Sequence, residues 1–276
     1  MADKSLNEPA ETKPRHEVPA RGSLDKFNLG LRLMAGAFIL FMLVSLFYLY
    51  VAVGNSWSLV ANALFDSRIL GALWISVSSA FIVGALAIAV AIPTSYILTY
   101  NEFRGKQLLE TLLIEFPQTF PPATVGLVYL LMLGPSSPIN IAYTYPAVII
   151  AKLYVSAPFA LSFILRRFRE IHKSGLDVIA ESLGGETQQI LLWVLLPLSS
   201  IDILGGFSLT WARAMGEVAA TLIFAGAISW KTEIFPAVVY LTAQSAPEVA
   251  LAASLIAAML SIVALMFFKW VAGRRR

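Results

Sequence analysis

Residues 69–101 read ILGALWISVSSAFIVGALAIAVAIPTSYILTYN, 33 residues without a charge. Such a run is too long for a buried strand or a core helix, whereas about 20 apolar residues suffice for a helix to cross the hydrocarbon core of a bilayer. Two further runs have the same character, Leu33–Val53 with 21 residues and Val249–Phe268 with 20. The 276-residue chain is 58% hydrophobic and 13% charged, and that charge content is about half of what soluble domains carry. Alternating β-barrel patterning is absent, which leaves helices as the way to satisfy the backbone in lipid. An all-α membrane protein that crosses the bilayer several times is expected.

The first apolar run follows roughly 30 polar residues and ends without a small-residue cleavage pattern, so it reads as a retained helix and not as a signal peptide. The chain has no cysteine, which excludes disulfides and thiolate metal sites. Its two histidines, His16 and His172, lie in a polar tail and a basic loop. No metal site is expected from such a set.

Residues 1–28 are polar, mixed in charge and rich in Pro and Ala, and read as a disordered tail. Six spans are predicted after it, at about 31–54, 69–100, 109–134, 144–166, 199–225 and 248–271. As one helix the second would be about 48 Å long, so it must tilt, kink at Pro93 or project from the membrane. With the N-terminus inside, the inner segments hold Lys4, Lys13, Arg15, Arg21, Lys26, Arg32, Arg104, Lys106, Arg166, Arg167, Arg169, Lys173, Lys269 and Arg274–Arg276, sixteen of the 20 basic residues. The outer segments hold Arg68 and Lys231 alone. This asymmetry predicts a multi-pass protein of the cell membrane with both termini cytoplasmic, ending in a basic tail over 272–276.

The third span contains EFPQTFPPATVG, which sets Pro117, Pro121 and Pro122 within six residues. Each proline removes a backbone donor and distorts the helix. One explains a kink; three favour a broken helix lining a cavity. The last span carries small residues at helical spacing (Ala250, Ser254, Ala258, with Ala253, Ala257 and Ser261 beside them), suited to close helix packing within the subunit or against a second copy.

The longest inner loop, residues 166–200, reads RRFREIHKSGLDVIAESLGGETQQILLWVLLPLSS. Its apolar residues alternate with polar ones, and Gly184-Gly185 interrupts it as a sharp turn would. Two short helices joined at the glycines and lying at the membrane surface are expected, either as an interfacial element or as a docking site.

Here the sequence resembles a known family. Ala180, Leu183 and Gly184, followed at the expected distance by Leu196-Pro197, are similar to the EAA loop of ABC importer permeases. The family's Glu falls at Val178, with Asp177 one residue before it and Glu181 three after, and Ile179 stands where Ala is usual. The likeness extends over about 70–270. FPPATVGLVYLLMLG, ARAMGEVAATLIFAG and KTEIFPAVVYLTAQSAPEVALAAS resemble the oxyanion branch, that is, the molybdate, tungstate and sulfate permeases.

The resemblance implies a type I importer permease fold of six helices. It places a transmembrane domain over 69–271, after a first helix and outer loop at 29–68, with an ATPase-coupling loop over 170–200. That loop holds Asp177, Ala180, Glu181, Leu183, Gly184, Gly185 and Pro197, either acid being the partner of the ATPase. It also implies a homodimer with two cytoplasmic ABC ATPase subunits and an extracytoplasmic oxyanion-binding protein. Independently, the chain contains no G-x-x-x-x-G-K-[ST] phosphate loop. ATP and Mg are therefore expected on the partner ATPase, with no cofactor on this chain, no enzymatic activity of its own and no nucleic-acid partner. Membrane lipid is the remaining partner.

Charges within the spans are few. Glu110, Glu115 and Asp202 lie near inner ends, and Lys152 lies about a third of the way into span four, from where it can snorkel outward. Arg213 and Glu217 lie about 21 and 27 Å along span five, in its outer half. Arg before Glu is the poorer order for helix support, and a central Arg costs roughly 2.5–3.5 kcal/mol to insert. Three roles stay open for the pair: a buried ion pair bracing the bundle, a gate whose partners change between states, and, ranked last, an anion site. A secondary transporter or channel is the alternative from another class.

Overall fold

The computed structural model describes residues 21–53 and 57–273. Most of the predicted tail and the 274–276 end lie outside the described residues. The described chain is helical, with no strand among the described residues. It divides into a unit ending at Val51 and a second unit from Ala52 onward. The first holds all but the last two residues of α1 (Arg21–Val53). This helix begins at Arg21, so the last residues of the predicted tail are helical: extending an existing helix adds one hydrogen bond per residue ordered.

The second unit opens with α2 (Trp57–Phe65) and α3 (Ser67–Tyr100). Asp66 starts α3 by accepting the Arg68 and Ile69 amides on Oδ1, at 2.8 and 3.3 Å. Pro93 lies inside this 34-residue helix without ending it. The third predicted span is broken, as its prolines suggest. It runs as α4 (Lys106–Glu110), a π-helical turn (Thr111–Glu115), α5 (Phe116–Thr119) and, after an extended Phe120-Pro121, α6 (Pro122–Leu133). α7 (Tyr145–Ser174) is continuous and ends at Gly175, whose φ of 75° is open to glycine at little cost.

α8 (Leu176–Ser182), α9 (Thr187–Gln189), a second π-helical stretch (Ile190–Leu195) and α10 (Leu196–Leu198) lead into α11 (Ser200–Met215). The helical run Thr187–Leu198 meets α11 at 69°. α12 (Ala219–Phe224), α13 (Phe235–Ala243) and α14 (Pro247–Gly273) complete the unit. One expectation is corrected. The predicted fifth span, 199–225, is no single helix, because α11 ends at Met215 and α12 begins at Ala219. Between α12 and α14 the short apolar segment IFPAVVYL forms most of α13, with Pro236 in its first turn, and α13 packs on α14.

Four described helices are long and apolar enough to cross a membrane, or five if the 69° pair counts as one. In lipid the hydrophobic effect does not drive helices together, so close packing and hydrogen bonds must. α3 presents Ala72, Ser76, Ser79, Ala80, Gly84, Ala87, Ala91 and Ser95 on its buried face, and against this small-residue stripe pack α7 and α11. At Gly126 of α6, an added Cβ would lie 2.6 Å from the Ala220 carbonyl oxygen of α12. The small residues of α14 are buried chiefly in its first half, at Ala250, Ala252 and Ala253. Trp74, Leu131, Met259 and Phe267 are exposed on the outside of the helices, as a bundle solvated by lipid requires.

Candidate functional site

Three places in the second unit carry the residues singled out from sequence. The first is the segment after α7. α8 turns at Gly184, φ 86°, where the Gly184 and Gly185 amides donate to Glu181 and Ala180 carbonyl oxygens at 2.9 and 3.0 Å. Glu186 then starts α9 in a reciprocal capping arrangement with Gln189. The corner leaves Leu183 at 85% exposure, with Glu181, Gly184 and Pro197 also exposed and Ala180 and Gly185 half-buried.

Asp177 differs from its neighbours. It is the buried residue of α8, and His172 Nδ1 of α7 lies 2.7 Å from its Oδ2. Burial pushes this carboxyl up, but the Tyr100 hydroxyl, His172 and the Val178 amide hold it below its ordinary 3.8. Of the two acids that the sequence left open, Glu181 is the one facing outward. Sequence reasoning did not single out His172 or Tyr100, because the three residues meet only where α3, α7 and α8 converge.

The second place is the broken span. Pro117 is buried and lines a cleft of about 310 Å³ between α3, α5, α6 and α7, with Ala87, Thr94, Leu113, Tyr129 and Tyr154 among its walls. Pro121 and Pro122 are not in that wall; they form the break and the first turn of α6. The cleft contains no charged side chain.

The third is the break between α11 and α12. Arg213 Nη1 lies 3.1 Å from Glu217 Oε2, so the pair meets as its spacing suggests, but across the end of a helix. Glu217 Oε1 accepts the Ala220 amide at 3.0 Å and so satisfies a free donor at the start of α12. Glu217 is 2% exposed. Lys152 does not snorkel: it is fully buried, donates to Ser79 Oγ at 2.8 Å, and lies within electrostatic reach of Glu217. A buried amino group is retained where partners meet it, and α3 supplies one that sequence spacing could not reveal.

At the same end of the bundle, Arg68 grips buried Glu233 with two nitrogens, Nε to Oε2 at 2.9 Å. Burial raises the Glu233 carboxyl, yet hydrogen bonds from Arg68 and Ser229 hold it below its ordinary 4.5. Among the described residues no group of three or more His, Asp or Glu converges as metal ligands.

Comparison with known proteins matches this geometry. The helical arrangement is that of ABC importer membrane subunits: the bacterial alginate ABC transporter, solved in complex with an alginate pentasaccharide-bound periplasmic protein, superposes with a TM-score of 0.74 over 92% of this chain and 96% of that one, at 14% identity. In sequence, the sulfate transport system permease protein CysW of Escherichia coli (strain K12) is 31% identical over 220 residues, 76% of this chain and 74% of that protein. The molybdate/tungstate transport system permease protein WtpB of Thermococcus kodakarensis is 27% identical over 200 residues, 72% of this chain and 78% of that protein. No protein-family model matches the sequence. The chain belongs to the oxyanion branch of the ABC importer permeases, a family of membrane proteins.

Proposed function

We propose that this chain is the membrane subunit of an ATP-driven importer for a tetrahedral oxyanion, tungstate or molybdate, acting by alternating access. Two copies would form the pathway, two cytoplasmic ABC ATPases would drive it, and an extracytoplasmic binding protein would deliver the anion. The observation that carries this reading is the segment after α7: a glycine corner that exposes Leu183 and Glu181 while Asp177 ties the same helix back to the bundle. That combination suits a segment pushed by a partner and attached to the spans it must move. Sulfate is the second reading, favoured by the 31% identity to the sulfate permease.

In this reading six spans cross the membrane: α1, α3, the interrupted α4–α6, α7, the bent run through α11 and α12, and α14. The basic residues Arg104, Lys106, Arg166, Arg167, Arg169 and Lys173 then lie inside, with both termini. The uncharged cleft at Pro117 supports a largely neutral passage, through which a dianion passes without being trapped. Arg213 and Glu217 sit near the outer end, bracing the α11–α12 break and opening when the bundle changes state.

The test is ATP hydrolysis by the complex reconstituted in proteoliposomes, with binding proteins loaded in turn with tungstate, molybdate and sulfate. Stimulation by one of them assigns the substrate; stimulation by none overturns the oxyanion reading. Uptake by this chain alone, driven by a proton or sodium gradient, would instead make it a secondary transporter.

A further inference from the structure

α8 has seven residues, and its apolar side chains Leu176, Val178 and Ile179 are all exposed. It joins α7 through Gly175, around which an added Cβ would meet nothing within 4 Å. α8 rests on the end of α7 and on the π-helical stretch Ile190–Leu195. The buried side chain of the helix is Asp177, 4% exposed, held by His172 from the last turn of α7 at 2.7 Å. The His172 ring packs edge-on against Tyr100, the last residue of α3, with centroids 5.0 Å apart. The ends of α3 and α7 and the first turn of α8 thus meet in three side chains.

The contact is incomplete in an informative way. The Tyr100 hydroxyl and Asp177 Oδ1 are both buried and near enough for the hydroxyl to hold the carboxyl low, yet they stand outside the geometry of a direct hydrogen bond. A donor and an acceptor left open side by side cost free energy that a small movement of α8 recovers. Hydrogen bonds are directional, so they transmit rotation of a helix where apolar contacts would slide.

We propose that His172, Asp177 and Tyr100 form a strut that carries displacement of α8 into α3 and α7, with His172 as the positioning residue. Pushing α8 closes the Tyr100–Asp177 bond, and the two spans then follow the loop. The inference rests on reading α8 as the place where the ATPase pushes.

The test uses the full importer, permease with its ATPase and binding protein, in proteoliposomes. H172A is expected to retain its ATPase on purification and to hydrolyse ATP, but to lower oxyanion uptake per ATP about tenfold. H172N, whose amide nitrogen stands near the position of Nδ1, is expected to recover at least half of the ratio, and Y100F to lower it about threefold. An unchanged ratio in H172A, or an H172N as defective as H172A, overturns the strut. A second measurement needs no substrate: hydrogen exchange at the Leu176–Ser182 amides in the purified complex should quicken at least fivefold in H172A and return in H172N. If the wild type takes up no oxyanion, the functional reading fails by itself. Exchange then decides the strut, and equal exchange in wild type and H172A rejects it.

Discussion

At the scale of single residues, the side chains that matter most are ionisable groups removed from solvent. Glu217 holds the start of α12 with one oxygen and Arg213 with the other. Truncation by E217A leaves both donors without their partner. Arg213 is about a third exposed, which puts the loss near the low end for a broken buried pair, about 3 kcal/mol. E217Q keeps an acceptor for the Ala220 amide and is expected to cost about 1 kcal/mol. Thermal unfolding of the purified variants checks the order, and equal midpoints for E217A and wild type would contradict it. Asp177 makes a pH-dependent contribution of known sign. Its carboxyl titrates lower in the folded chain than its ordinary 3.8. Its stabilisation is therefore complete above about pH 4 and is lost as pH falls through the lowered value. Comparing wild type with D177N isolates it from other acids: the difference in unfolding midpoint should shrink between pH 5 and pH 3.

At the scale of elements, close approach and exposure divide the molecule into parts that tolerate change and parts that do not. α6 reaches α12 because Gly126 lacks a side chain, and the atoms it would strike are backbone, which cannot move aside. G126A is expected to destabilise by about 2 kcal/mol through overpacking, read as a lower unfolding midpoint. Leu183 is the opposite case. Its 85% exposure means that L183D should leave the midpoint within a degree or two while abolishing co-purification of the ATPase. Retained binding in L183D would move the docking point elsewhere in the segment.

The break of the third span was legible from sequence, since three prolines in six residues leave a helix too few donors. The break at Gly216 was not. Arg213 and Glu217 apart, the apolar run continues through it, and a single glycine costs only about 1 kcal/mol in a helix. What ends α11 is tertiary: the chain turns so that α12 can lie against α6 and α7. α13 is not legible as a span, because a nine-residue apolar run is too short to cross the bilayer.

At the scale of the whole molecule, the asymmetry of basic residues predicts sidedness, and the absence of cysteine makes this simple to test. A single cysteine at Ser245, after α13, should react with a membrane-impermeant maleimide added to intact cells. One at Gln107 in α4 should react only after permeabilisation. The reverse pattern would invert the topology and with it the assignment of the segment after α7 to the ATPase side.

Read alone, the amino-acid sequence shows a helical membrane protein, where its third span breaks, which loop carries the glycine corner, and its kinship with the oxyanion permeases. Those properties follow from runs, local spacing and residue types. Tertiary structure decided which acid of that loop is buried and which is free, that Lys152 is enclosed against Ser79 and does not snorkel, and that Arg213 and Glu217 meet across a helix end. The partners of a buried charge can lie far along the chain: Lys152 and Ser79 are 73 residues apart, and Arg68 and Glu233, which join α3 to the start of α13, are 165 apart. Burial and pairing of a charge depend on such long-range neighbours, and a pattern read within one segment contains no information about them.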